Sequence, residues 1–308
     1  MSRSATIINK AIPGIMFTGR LIKQSFQELK KNDPLRMAGA TSFFSTFAIT
    51  PILIIIIQLL GVFFKQDRLS SQLILRLQIM LGRRAAGQIQ EVAEHITALA
   101  QNWYVTVFGF LFLIFVATTL FSVIENSLNQ IWKIRIKPNA GFMFGLKRRL
   151  RSLVIIILAG ILFVIGLLIE GVQALLGNYI DYLLPEIGKY LNTTINEVVF
   201  ILIATAWFSC IFRFLTVGRP LWKIAFSGGL LTTLLFDIGK IVLRFCLSKS
   251  NIGTIYGTSG SIVLIMLFVF YSSFIFYFGG CVIKILSEML NQPIRPLKEA
   301  YRYEIHEV

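Results

Sequence analysis

The sequence predicts an all-α, polytopic membrane protein with six transmembrane helices, amphipathic interfacial helices and both termini in the cytoplasm. Three observations carry that class. The 308 residues are 56% hydrophobic, too apolar for an ordinary soluble domain. The apolar residues are gathered into long runs, beginning with an uncharged stretch from Met37 to Phe64, and about 20 such residues cross a hydrocarbon core of roughly 30 Å. The 30 Lys and Arg, against 15 Asp and Glu, fall mainly between those runs, where basic residues set topology.

Residues 1–36 form a cytoplasmic amphipathic segment. Ile15, Ile22, Phe26 and Leu29 recur at helical spacing, with Lys23, Lys30 and Lys31 elsewhere, the pattern of an interfacial helix on anionic lipid. A signal peptide is not expected, because the first long apolar run starts late and is longer than a signal core. Asn32-Asp33-Pro34 reads as a helix start, with a capping side chain before a proline whose missing N–H costs nothing in the first turn. The transmembrane domain covers 37–288, with spans at about 37–63, 103–126, 152–176, 197–217, 222–245 and 261–286. Pro51 predicts a kink in the first span. Residues 64–102 form an outer helical connection: Leu69, Leu73, Leu77, Met80 and Leu81, then Ile89, Val92, Ala93, Ile96 and Leu99, describe two amphipathic helices around a break at 82–87. They cap the bundle or rest in the lipid interface. Residues 289–308 are read as a cytoplasmic tail.

Orientation follows from the basic residues. The N-terminal segment, the connections after the second and fourth spans, and the C-terminal end hold twenty-one Lys and Arg, against seven on the opposite side. The positive-inside bias places the former in the cytoplasm, so both termini are read as cytoplasmic. The same bias accounts for a net charge of +15 without nucleic acid as a partner; membrane lipids, anionic ones in particular, are the expected partners. Cys210, Cys246 and Cys281 show no CxxC spacing and imply no disulfide framework. His95 and His306 sit apart from acidic clusters, so neither a metal site nor another cofactor is expected.

Small residues mark places where helices approach closely: Ala38, Gly39, Ala40 and Ser42 in the first span, Gly228 and Gly229 in the fifth, and Gly279 and Gly280 in the sixth. The fifth span carries the charges. Asp237, Lys240 and Arg244 lie three and four residues apart, on one helical face that Thr233 extends by a turn. At a rise of about 1.5 Å per residue, Asp237 lies roughly 20 Å from the cytoplasmic boundary, Lys240 roughly 24 Å, and Glu170 of the third span roughly 26 Å. These five residues form either a polar cavity for a charged or amphiphilic substrate or a set of structural ion pairs. Glu125, Asn126 and Asn129 gather where the second span leaves the membrane. They anchor a helix end, or form a cytoplasmic gate with Arg213 and Arg219 of the next short connection. Tyr271, Ser272 and Ser273 lie deep in the sixth span, bonding neighbouring helices or lining a cavity.

From Asp33-Pro34 through Pro51, Ser127-Leu128-Asn129-Gln130-Ile131-Trp132 and Lys147-Arg148-Arg149, and on through Gly228-Gly229, Lys240, Tyr256-Gly257 and Tyr271, the chain resembles the YihY/BrkB membrane proteins, a family once called ribonuclease BN. The likeness covers roughly residues 20–290. The chain departs from the pattern where many members have Gly-Ala-Glu and it has Gly279-Gly280-Cys281, and where a common tryptophan is Phe268. The resemblance implies a six-helix inner-membrane protein engaged in transport or envelope-lipid handling. Two functions follow as expectations: a transporter or lipid translocator, with a small molecule or lipid as substrate, or a non-transporting structural or interaction protein of the envelope. Catalysis is not expected. A ribonuclease needs a metal cluster or an acid/base pair beside an RNA surface, and the residues offer neither.

Overall fold

The computed structural model describes residues 2–63, 103–138, 188–249 and 260–303, and the single positions 154, 158, 161 and 166. Among them are α1 (Ser2–Lys31), α2 (Pro34–Phe63), α3 (Trp103–Ile131), α4 (Gly188–Phe214), α5 (Trp222–Lys249) and α6 (Gly260–Met289). Among the described residues four stretches are long and apolar enough to cross a membrane: Val107–Ile131, Thr194–Phe214, Trp222–Val242 and Ile265–Met289. The expected first span falls on α2, whose side chains are described as far as Ala48. Of the third, the described positions 154, 158, 161 and 166 are helical, and Val154, Leu158 and Ile161 are exposed. The connection 64–102 lies outside the described residues.

The fold is not purely helical. Four short strands, β1 (Ile134–Ile136), β2 (Gly218–Arg219), β3 (Arg295–Pro296) and β4 (Ala300–Arg302), form two antiparallel pairs. Ile134 faces Arg302 and Ile136 faces Ala300, while Gly218 faces Pro296. Strands of two or three residues are too short for an alternating pattern to register in sequence. What secures them is backbone bonding to chain that returns after α6: Leu297 N donates to Val217 O at 2.9 Å, Lys137 N to Glu299 O at 2.9 Å and Tyr303 N to Lys133 O at 3.0 Å. Residues 294–303 are therefore packed chain, with Ile294 and Ala300 buried.

The chain divides into two compact units. The first comprises residues 1–38, 121–245 and 271–308. Its core joins Leu29 of α1 and Met37 to Leu128 and Trp132 at the end of α3, Phe212 and Leu215 at the end of α4, Ile224 at the start of α5, and Tyr277 and Ile283 of α6. One end of this helix set thus carries the α1/α2 turn, the connections after α3 and α4, and the chain beyond α6. Trp132 is buried there and donates its Nε1–H to Gly280 O at 2.9 Å, satisfying a buried polar group by a bond no sequence spacing shows. Helix crossings follow the small residues. A Cβ on Gly229 would lie 2.9 Å from Thr205 O, one on Gly228 2.3 Å from Ile283, and one on Gly280 2.6 Å from Leu128. Gly39 differs, with nothing within 4 Å of a Cβ.

α1 divides its apolar residues between two faces. Ser25, Leu29 and Asn32 are buried, while Ile22 and Phe26 are 45% and 57% exposed. Asn32 serves the end of α1 and not the start of α2: its Nδ2 donates to Glu28 O at 2.8 Å, satisfying one of the helix's last carbonyls. α2 starts at Pro34 as its sequence signature predicts, with Met37 N donating to Asp33 O at 3.2 Å.

The second unit comprises residues 39–120 and 246–270. Ser42 Oγ there donates to Met266 O at 2.6 Å, joining α2 to α6. Thr118 and Thr119 donate back to carbonyls of their own helix, the usual way a hydroxyl is satisfied in an apolar span. Phe108, Leu111 and Phe115 are more than half exposed, a surface that only lipid would cover without penalty.

Candidate functional site

The polar stripe of α5 begins inside the packing and ends near its surface. Thr233 is fully buried and accepts from Thr205 Oγ1 at 3.3 Å, in line with Ser209 Oγ, which donates to Thr205 O at 2.6 Å. One turn on, Asp237 and Lys240 pair with each other at 2.7 Å. Lys240 Nζ also sits 3.6 Å from the centroid of the Phe200 ring on α4, a cation–π contact. These two side chains are 24% and 32% exposed, among Leu234, Ile238, Ile241 and Val242, which face outward. Arg244 belongs to α5, but its side chain lies outside the described residues, as does Glu170. Tyr271 OH donates to Leu235 O at 3.4 Å, and a Cβ on Gly239 would fall 1.8 Å from the Tyr271 ring. Tyr271 therefore packs against the α5 backbone, and Ser273 is buried.

The second group of predicted residues lies at the ends of α3 and α4. Glu125 is buried, while Asn126 and Asn129 line a cavity of about 770 Å³ at the end of α3. Arg213 and Arg219 brace their own connection. Arg213 Nη1 donates to Pro220 O, and its guanidinium lies 4.7 Å from the Trp222 ring centroid. Arg219 Nη1 donates to Arg213 O and its guanidinium lies 5.4 Å from the Phe214 ring centroid. The cavity takes its charge from elsewhere, from Lys31, Lys133 and Arg135. Gln130, also in the lining, accepts from Arg36 Nη2 at 3.3 Å. Among the described residues no three of His, Cys, Asp and Glu gather as a metal ion requires.

The profile of the family described as virulence factor BrkB matches residues 25–304. The chain belongs to that family. Among its curated relatives is a UPF0761 membrane protein of Saccharophagus degradans, 22% identical over 90% of this chain and 61% of the relative. One from Psychromonas ingrahamii is 25% identical over 83% of each chain, and one from Haemophilus influenzae is 22% identical over 89% of this chain and 96% of its own. This BrkB-family chain thus spans about three fifths of the first of these relatives. No solved structure matches it.

Sequence reasoning missed a buried ion pair in this BrkB-family protein. Lys284 of α6, counted there as a flanking topogenic charge, is buried and bonds Glu28 Oε1 of α1. Asn32 Nδ2 reaches the same oxygen at 3.3 Å. The signal that could have found it was Ser25, Glu28 and Asn32 recurring with Leu29 on one face of α1, a mixed face that asks for a partner. Burial alone would raise the Glu28 carboxyl, but the Lys284 hydrogen bond and charge, with help from Asn32 and Lys133, hold it below its ordinary 4.5. A depressed carboxyl contributes stability above its unfolded pKa and loses it as pH falls through the folded one. The thermal midpoint in detergent is therefore expected to owe nothing to this pair's titration between about pH 7 and about pH 5, and to lose its contribution at lower pH. In Glu28→Gln that acid-side component should vanish; an unchanged acid profile would show that the pair does not couple α1 to α6.

Proposed function

We propose that the protein is a lipid-handling translocator of the bacterial inner membrane, with both termini and the strand-bearing end of its helices in the cytoplasm. The Lys/Arg asymmetry of the connections supports that orientation. One observation carries the functional reading: Asp237 and Lys240 are partly exposed among outward-facing apolar side chains. A charged pair inside a membrane costs several kcal/mol unless it is paired or hydrated, and such groups mark substrate paths. Were its purpose purely structural, full enclosure would shield it best. A half-open polar seam on a lipid-facing helix instead offers a headgroup a way across while its acyl chains stay in lipid. Thr233, Arg244 and Glu170 extend that seam in this reading.

Reconstitution tests it. Liposomes holding the purified protein and a headgroup-labelled phospholipid should lose the protected inner-leaflet fluorescence to a membrane-impermeant quencher faster than protein-free liposomes. Asp237→Asn with Lys240→Met should slow that loss by about tenfold or more, the scale of one lost charge-assisted contact. If no lipid moves, and the double variant changes yield alone, the protein is a structural or interaction component of the envelope and the translocator reading fails.

A further inference from the structure

Among the described residues three backbone positions outside glycine lie in the left-handed region: Asp33 (φ 50°), Lys133 (φ 54°) and Asn291 (φ 52°). Asp and Asn tolerate that conformation, because their short side chains bond locally. Lysine gains nothing there, and glycine is the residue that normally ends a helix in this way. Lys133 holds its position because both backbone groups are fastened: its N–H donates to Gln130 O at 3.1 Å and its carbonyl accepts from Tyr303 N at 3.0 Å. An unfavourable residue kept at a fixed turn calls for a reason in its side chain, and that side chain lines the 770 Å³ cavity.

The cavity's chemistry has one sign. Lys31, Lys133 and Arg135 contribute three cations, and no Asp or Glu lies in the lining. None of the three makes a salt bridge among the described residues, although the Lys133 charge also acts on Glu28; Arg135 stacks on the Tyr303 ring at 5.0 Å. Amides supply the rest. Arg36 holds the Gln130 carbonyl, which fixes the NH₂ as the other end of that side chain. Asn129 is 7% exposed, and its Oδ1 is buried with no partner among the described residues. Three cations beside amide side chains, with no carboxylate in the lining, make a receptor for a compact polyvalent anion. The volume exceeds what a bare anion fills and suits a polar molecule that carries one.

We propose that this cleft binds a phosphate mono- or diester, with Lys133 as the ligand whose charge justifies its backbone conformation. The proposal names a substrate class for the lipid-handling reading and rests on that reading only for the source of the phosphate. A phospholipid headgroup is one source, since Ile22 and Phe26 of α1 stay exposed beside Lys23 and Lys30. A soluble phosphate ester is the other.

The test uses the full chain in uncharged detergent and in nanodiscs. Glycerol 3-phosphate is titrated calorimetrically into the detergent form, and labelled phosphatidylglycerol is exchanged into phosphatidylcholine nanodiscs carrying the protein. Wild type should bind at least one of the two; binding of the first marks a soluble source and of the second alone a lipid source. Lys133→Gly should weaken that binding about tenfold or more with an unchanged or raised thermal midpoint, since glycine relaxes the turn. Lys133→Arg should retain binding, and Lys223→Ala, which removes an equal charge away from the cleft, should leave it unchanged. Absence of binding to either probe, or equal binding by Lys133→Gly, overturns the proposal. Phosphate binding without lipid movement would leave the cleft standing and remove the translocator reading. Lipid movement that Lys133→Gly does not affect, without phosphate binding, would do the reverse.

Discussion

Replacing Lys284 by methionine is expected to be among the most damaging single changes to this protein, at about 3–5 kcal/mol, the usual consequence of stranding one member of a buried ion pair. The side chains of Lys284 and Glu28 are 5% and 12% exposed. Without the ammonium, the Glu28 carboxylate keeps the Asn32 amide and sits beside apolar Leu29 and Cys281, both buried. It must then either ionise without compensation or take up a proton. Methionine matches the stem of lysine in length, so the loss measures charge and not a cavity. The double variant Glu28→Gln, Lys284→Met should recover most of the stability, because a neutral pair at this site has no charge to desolvate. Thermal unfolding of the two single variants and the double gives the coupling directly. If the double variant shows the plain sum of the two single losses, the pair does not hold α1 to α6.

Gly229→Val is expected to cost about 3 kcal/mol or more, at the upper end of overpacking penalties. A Cβ at this position would lie 2.3 Å from Ser209 Oγ, 2.9 Å from Thr205 O and 3.1 Å from Ser209 N. The first of these could move by a rotamer change. The other two are backbone of α4, so α4 and α5 must separate, and separation breaks the Thr205–Thr233 bond at the same crossing. Ser209→Ala should therefore rescue Gly229→Ala only in part. Gly39→Ala is the control: nothing lies within 4 Å of its Cβ, and alanine is the better helix former, so its midpoint should hold or rise. Thermal midpoints by fluorescence-detected size exclusion would rank the set. A Gly229→Val protein as stable as wild type would mean that α4 and α5 do not cross where the glycine places them.

The described helices α2 to α6 were legible because each contains an apolar run long enough to be recognised without knowing its neighbours, and the family likeness was legible in ordered small and aromatic residues along α2, α3, α5 and α6. The spacing rule also found the α5 stripe. It could not tell that Asp237 and Lys240 would pair within one helix while Thr233 turned to Thr205, since a three-and-four spacing fixes a face and not a partner. The cleft was harder to see. Its cations come from α1, from the turn after α3 and from β1, and each reads in sequence as a topogenic charge, which conceals that they converge. Asn126 and Asn129 line that cleft, whereas Arg213 and Arg219 reach carbonyls and rings of their own connection, bonds that no spacing in the sequence shows. The strands left no mark, because two or three residues paired with chain 76 to 168 positions later have no local signature.

That late pairing sets an order of events during synthesis. β3 and β4 follow every described helix in the chain, yet they pair with segments that emerge soon after α3 and α4. Insertion of the helices can proceed one by one, but the end that bears the cleft cannot close until residues 294–303 have left the ribosome. Tyr303, whose amide fixes the Lys133 turn, emerges after all of those helices. A nascent chain stalled just beyond α6 would hold its membrane helices without the strand pairs that close this end.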